Sequence, residues 1–346
     1  MKIVIRVDSS VSLGTGHVMR CLTLANYLKK EGIFSLFLCK DEPGNLISEI
    51  RMKGFEVLVL NYQGEFNQNS DALETLNYLE KLNVNMIIVD HYGIDRTWES
   101  QIRRSVQKIF IIDDLANRQH DCDYLLDQNY YKHYFTRYQL LVPKDCRLLL
   151  GPSHLILREE FYKLEHRDRR NSLQRLLIFY GGSDPTNETL KAINAITLID
   201  LEKIVVDVVT GSANLNNEII KQRCLDKGFN YHCQIDYLAT LMNNADLSLG
   251  AGGVTMWERC YIGLPSIVTI VADNQINSTN DVEEYGAIIN LGYYLHVTEK
   301  VILNQVLNVI SQPNSLRKYS RKAKELIRIN KQEKHPVVQA IMEGIS

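Results

Sequence analysis

Neither sign of charge dominates this chain, and that absence removes a large class of partners. Its 39 Lys and Arg stand against 41 Asp and Glu, a formal net charge of -2, and the basic residues are scattered. Nucleic-acid recognition needs a concentrated positive field, so DNA and RNA are excluded as partners. Long hydrophobic runs are also missing. Apolar stretches such as 267–272 have strand length and fall short of the roughly 20 residues that span a bilayer. At the start, Lys2 is followed by Ile3, Val4 and Ile5 before Arg6. That is too short for a signal-peptide core of about 7 to 15 residues. A cytoplasmic location without a membrane partner is expected. The seven cysteines (Cys21, Cys39, Cys122, Cys146, Cys224, Cys233, Cys260) are odd in number and include no C-x-x-C pair. This argues against a disulfide framework and against a thiolate zinc site, leaving reduced, packed thiols. Low-complexity stretches are absent too, and a chain 45% hydrophobic and 23% charged is expected to fold except at its C-terminal end.

What is present is alternation. A length of 346 residues favours two domains on a prior of roughly 150 residues each. Short β-branched runs alternate with amphipathic, helix-length segments, the pattern of parallel sheets covered by helices. Strands are expected at 2–7, 34–39, 55–60, 86–90, 108–113 and 124–126, with helices near 18–30, 45–52, 71–82 and 96–104. The pattern breaks after Leu150, where Gly151-Pro152 and the polar run 165–171 read as the passage between domains. A second alternation follows, with strands at 176–180, 204–209, 231–235, 247–249, 266–271 and 287–291. Its helices fall near 188–196, 216–226, 237–242, 255–262, 276–284 and 299–311. The expected architecture is α/β, two Rossmann-like, doubly wound parallel-sheet domains facing a cleft, with domains at 1–150 and 172–316. The basic run 317–334 reads as a solvated helix packed by a thin apolar stripe, within a helical tail at 317–346.

In open α/β sheets ligands bind at the carboxyl ends of strands, so the loops after strands carry the chemistry. Gly14-Thr15-Gly16-His17 follows the first strand and opens a helix, where free backbone N–H groups and the helix dipole favour a phosphate or a developing anion. It is not the G-x-G-x-x-G dinucleotide fingerprint, because Arg20 and Cys21 stand where a third small residue belongs. His17 lies at the helix mouth, where the positive dipole end favours a neutral imidazole able to act as a base. His91, in Asp90-His91-Tyr92 after another strand, reads either as a site residue or as a satisfied structural histidine. Two further glycine loops, 180–185 and 250–255, each precede a helix, and together they point to a nucleotide diphosphate. Glu258, one turn into the second of these helices, suits ribose hydroxyls. Asp113-Asp114 lacks further ligands at metal spacing and reads as loop and cap residues; no metal and no cofactor are expected. Cys21, on the apolar stripe, reads as an inert buried thiol.

With these loops in place the sequence resembles the UDP-2,4-diacetamido-2,4,6-trideoxy-β-L-altropyranose hydrolases of pseudaminic acid biosynthesis. The agreement runs through 6–10, 14–21, 89–92, 113–118, 126–129, 181–185, 250–260 and Asn274-Gln275, nearly the whole chain. It departs at His154, where an aromatic is common, and at Tyr180 before the glycine pair. The resemblance implies the GT-B architecture, related to the UDP-N-acetylglucosamine transferase of peptidoglycan synthesis, and hydrolysis of the UDP-sugar at the anomeric carbon with inversion. It implies His17 as the base, with Tyr92 and Asn274 near the sugar. Gly252, Gly253 and Thr255 would take the diphosphate, Glu258 the ribose, and the Ile235 backbone the uracil. Gly14, Gly16, Arg20, Gly182, Ser183 and Gln275 complete the expected substrate-binding set. The expected partner is a small-molecule UDP-sugar, and the protein is expected to be a monomer or weak homodimer. A GT-B glycosyltransferase using the same UDP site, or a nucleotide-sugar binding subunit without turnover, remain alternatives.

Overall fold

The runs of Ile, Val, Leu and Phe that read as strands are buried on both faces, as parallel sheets require. In the computed structural model, which describes residues 1–11, 13–62, 64–165, 167–168, 172–199, 204–312, 314–329 and 335–345, they form two separate sheets. Clustering of the chain gives two units, Met1–Leu157 with Ile329–Ser346, and Arg158–Arg328.

The first unit contains β1 (Lys2–Val7), β2 (Phe34–Lys40), β3 (Glu56–Leu60), β4 (Met86–Asp90), β5 (Lys108–Ile112), β6 (Tyr124–Asp127) and β7 (Arg147–Leu150). Helices α1 (Gly16–Lys30), α2 (Ile47–Met52), α3 (Gln68–Leu79) and α4 (Arg96–Ile102) alternate with them. The strand order is β3-β2-β1-β4-β5-β6-β7, with every recorded pairing parallel. Helix α1 buries Val18, Cys21, Leu22, Leu24, Ala25 and Leu28, the stripe that 3.6-residue periodicity predicts. Strand β7 had no counterpart among the expected elements.

The second unit starts with α5 (Glu159–Lys163) and continues with β8 (Arg175–Phe179), α6 (Glu188–Ile196), β9 (Val205–Thr210), α7 (Asn217–Lys227), β10 (Asn230–Cys233) and α8 (Leu238–Asn244). Then come β11 (Leu247–Ala251), α9 (Val254–Tyr261), β12 (Ser266–Ile270), α10 (Ile276–Tyr285), β13 (Ile289–Tyr293), α11 (Glu299–Ser311) and α12 (Ser315–Leu326). Its order, β10-β9-β8-β11-β12-β13, repeats the arrangement of the first sheet. In both sheets the order reverses beside the first strand, between β1 and β4 and between β8 and β11. Such reversal points open a crevice at the strands' carboxyl ends, which is where ligands sit in this class of sheet.

The expected single tail, 317–346, is divided. Helix α12 stays with the second unit, whose core includes Leu316. The chain then returns, and α13 (Pro336–Ile345) packs Val337, Val338, Ala340, Ile341 and Ile345 into the same core as Ile3, Leu24 and Phe37. Its apolar stripe would otherwise face water, which explains why the chain end belongs to the first unit. The unit boundary falls at Leu157/Arg158, ahead of the run 165–171 expected as the passage; His166 and 169–171 of that run lie outside the described residues.

Candidate active site

The reversal point of the first sheet brings the end of β1, the start of α1 and the end of β4 together. Asp90, the last residue of β4, pairs in register with Val7 of β1. Its carboxylate is the hub of the cluster. His17 Nδ1 lies 2.6 Å from Asp90 Oδ1. Arg20 clamps the same carboxylate, Nε to Oδ2 at 3.0 Å and Nη2 to Oδ1 at 2.8 Å. Burial would raise the Asp90 carboxyl, but Arg20 and His17 outweigh it and hold the group below the usual carboxylate range. An ionised Asp90 accepts at Oδ1, so Nδ1 of His17 carries the hydrogen, and it is Nε2 that can present a lone pair to take up a proton. The side chain of His17 keeps 13% exposure.

The Tyr92 ring stands edge-on to His17, with centroids 4.6 Å apart at 86°. Its hydroxyl bonds the Asp114 carboxyl, and Asp114 Oδ2 lies 3.9 Å from Arg20 Nη1. Burial raises the Asp114 carboxyl, partly opposed by Arg20, and burial with the adjacent Asp114 also raises the Tyr92 phenol. The reading of Asp113 and Asp114 as loop and cap residues therefore holds for Asp113 and is corrected for Asp114. Asp113 does brace the loop, accepting from the Ala116 backbone N–H and pairing with Arg118 at 2.7 Å. Asp114 points to the opposite side and joins His17, Arg20 and Tyr92. Asp90 is the residue that sequence reasoning missed; its signal was its place at a strand end, directly before His91 and Tyr92.

His91 resolves as structural. Its Nδ1 accepts from the Gly93 N–H at 3.0 Å, Nε2 faces Asp8 Oδ2 at 3.4 Å, and the ring lies on Phe66 with centroids 4.3 Å apart. Burial lowers the His91 imidazole. Cys21 is fully buried and burial raises its thiol, as an inert packed cysteine requires. Gly14 adopts φ 74° and closes a turn through its N–H to Ser10 O at 2.9 Å, while Gly16 starts α1 with no side-chain cap from Thr15.

The second sheet's reversal point gathers the other glycine loops. After β8, Gly181 takes φ 104°, and Gly182 packs so closely on Gly211 that a Cβ at 211 would come within 2.6 Å of the Gly182 carbonyl oxygen. Ser183, half-buried, sits beside them, and Asp184 caps α6 through the N–H groups of Glu188 and Thr189 at 3.0 and 2.8 Å. After β11, Gly252 and Gly253 lead into α9, which no side chain caps. Gln275 lies beneath both glycines: its Oε1 accepts from the Val271 N–H at 3.1 Å, and a Cβ at 253 would meet its Nε2 at 3.4 Å. Ile235 is half-buried in the loop after β10, whose last residue is Cys233 where a strand to 235 was expected; Gln234 at φ 51° ends the strand. Asn274, in the short turn Asp273–Gln275, belongs to the second unit with Gln275 and not to the first with His17 and Tyr92.

Glu258 is buried, with 3% exposure, but it is not a lone carboxylate. Arg158 grips it with Nε to Oε1 at 2.8 Å and Nη2 to Oε2 at 3.1 Å, and also holds Glu160 at 2.6 Å. Each Glu258 oxygen keeps a lone pair for a second donor, so a ribose would share it with Arg158. A partner 100 residues distant in the chain left no local signal. Among the described residues, no group of three or more His, Cys, Asp or Glu is placed to hold a metal ion, and no helix is long and apolar enough to cross a membrane.

Two doubly wound parallel sheets with glycine-lined reversal points define an α/β protein of GT-B type. Acinetobacter baumannii MurG superposes with a TM-score of 0.70 over 99% of both chains at 13% identity, a likeness of fold. Residues 176–338 match the model of the glycosyltransferase family 28 C-terminal domain. The chain is 30% identical to the UDP-2,4-diacetamido-2,4,6-trideoxy-β-L-altropyranose hydrolase of Campylobacter jejuni, over 71% of this chain and 83% of that one. It belongs to the family of that hydrolase. An uncharacterized protein of Methanocaldococcus jannaschii is 29% identical over 78% of this chain, which spans 55% of that longer relative.

Proposed function

We propose that this protein hydrolyses a UDP-activated diacetamido-trideoxy hexose at the anomeric carbon with inversion, releasing UDP and the free sugar. The observation that carries the reading is the His17–Asp90 pair at the first reversal point, a base whose proton-accepting nitrogen is selected by a carboxylate that Arg20 keeps ionised. The second unit holds the nucleotide on Gly182, Ser183, Gly252, Gly253, Thr255, Gln275 and Glu258, with Ile235 offering its backbone to uracil. His17 Nε2 takes a proton from water, the water oxygen bonds to the anomeric carbon, and the bond from that carbon to the β-phosphate oxygen breaks with its electron pair going to UDP. Asp90 stabilises the imidazolium that forms, and the N–H groups at the start of α9 meet the leaving charge. Tyr92 and Asn274 border the sugar.

Hydrolysis in oxygen-18 water tests the step directly. Label should enter the anomeric hydroxyl and leave UDP unlabelled, and the first-formed sugar should be the inverted anomer. Label in the β-phosphate would refute attack at carbon. UDP release only when an acceptor alcohol is supplied would instead assign a glycosyltransferase, the activity named in the family 28 domain model.

A further inference from the structure

Three arginines are buried among the described residues, and two have carboxylate partners: Arg6 with Asp8 and Asp71, and Arg20 with Asp90. Arg259 on α9 is the exception. It is 0% exposed, and its guanidinium meets only neutral acceptors, Nε to Ser266 Oγ at 3.1 Å, Nη1 to Thr255 Oγ1 at 3.1 Å and Nη2 to Ala251 O at 2.7 Å. Among the described residues no carboxylate lies within ion-pair distance of it. A buried charge without an ion-pair partner is costly: burial pushes this guanidinium down to about 10, only partly opposed by neighbours that include the Glu258 carboxylate, whereas Arg6 and Arg20 are raised.

The place of this charge is informative. It lies under the loop that joins β11 to α9: a Cβ at Gly250 would fall 2.6 Å from Nη1, so the glycine makes room for the guanidinium. Because the Thr255 hydroxyl oxygen accepts from Arg259, its own hydrogen is turned elsewhere, available to an anion. A second buried group faces the same loop: Thr279 Oγ1 is 0% exposed, has no hydrogen-bond partner and lies against Gly252. A loop with an uncapped helix start and a positive charge beneath it, whose nearest interacting carboxylate, Glu258, is already held by Arg158, is built to be completed by an anion.

We infer that Arg259 is a positioning residue for the nucleotide diphosphate, supplying the missing counter-charge from beneath the loop and aiming the Thr255 hydroxyl at a phosphate oxygen. It does not touch the ligand. The inference rests on the reading that the second unit binds UDP, and uridine separates the two, since it lacks the phosphates.

The experiment measures calorimetric affinities of the full chain for UDP, UMP and uridine in the wild type, Arg259→Lys and Arg259→Gln. The readout is the ratio of UDP to uridine affinity, which cancels a general weakening of the site. The Gln variant should lose roughly 10- to 100-fold in this ratio, the span of a charge-assisted interaction. The Lys variant, which keeps the charge without the fork, should stay within about threefold of the wild type. A Gln ratio near the wild-type value would overturn the proposal, and a Lys ratio reduced as far as Gln would overturn its counter-charge part, leaving only the hydrogen bond that aims Thr255. If Arg259→Gln does not fold, Arg259→Met, which removes the charge with an unbranched chain, takes its place with the same expected loss. A wild-type protein that binds UDP no tighter than uridine would refute the nucleotide reading itself.

Discussion

Replacing Asp90 by Asn probes the proposed chemistry at its hub with a change of one atom. Oδ1 accepts from His17 Nδ1 and Arg20 Nη2, and Oδ2 from Arg20 Nε with Cys21 Sγ at 3.5 Å. An amide has one oxygen, so one of these positions becomes a donor. If the NH₂ takes the Oδ1 position it opposes His17 Nδ1 and drives the ring to the tautomer with hydrogen on Nε2, which cannot accept a proton from water. If it takes the Oδ2 position it opposes Arg20 Nε inside the protein, and the carboxylate charge that stabilises the imidazolium is lost in either case. The rate of UDP release at saturation should fall about 10²- to 10⁴-fold, or roughly 2.7 to 5.5 kcal/mol in the barrier. The only carboxylate then left to Arg20 is the more distant Asp114, so stability should also fall by up to about 3 to 5 kcal/mol, read by denaturant unfolding. UDP affinity should be unchanged, because the nucleotide loops belong to the other unit. A folded Asp90→Asn protein that turns over within about fivefold of the wild type would refute the assignment of the His17–Asp90 pair as the base.

Glu258→Gln should weaken UDP binding by about 1.5 to 3 kcal/mol, with a smaller loss for 2′-deoxy-UDP, since the lost contact is to the ribose; equal losses for the two nucleotides would remove the ribose from Glu258. Asp127, 2% exposed, has its carboxyl raised to about 7, by burial first and then by Asp114. The folded state thus holds this proton more tightly than the unfolded chain, whose carboxyl titrates near 3.9, so the contribution is complete below about pH 4 and is lost as pH rises through 7. Asp127→Asn should accordingly gain on the order of 4 kcal/mol relative to the wild type between pH 4 and 8 in urea unfolding, and parallel pH profiles would contradict this. Ile341→Ala, fully buried in the first unit's core, should cost about 2 to 4 kcal/mol, whereas a value under 0.5 would mean that α13 does not complete that core.

Much of this protein was legible from its order of residues, because the signals were local. Short β-branched runs and period-3.6 stripes located nearly all strands and helices, and the glycine loops announced themselves by standing between a strand and a helix. His17 and the glycine loop 250–255 were singled out from such neighbours, whereas Tyr92 and the individual roles of Gly252, Gly253 and Thr255 came from the family resemblance. The tertiary structure decided what depends on residues remote in the chain. Asp90 meets His17 across 73 positions and Arg158 meets Glu258 across 100, pairings that no periodicity encodes. Adjacent Asp113 and Asp114 differ in role because a strand end sends them to opposite sides, one to its loop and the other to Arg20 and Tyr92. The last helix was read only as part of a helical tail, since its stripe only gains meaning beside the Ile3, Leu24 and Phe37 surface that it covers. Local pattern sets which elements form; the desolvation of charges and apolar faces on folding decides which of them must meet.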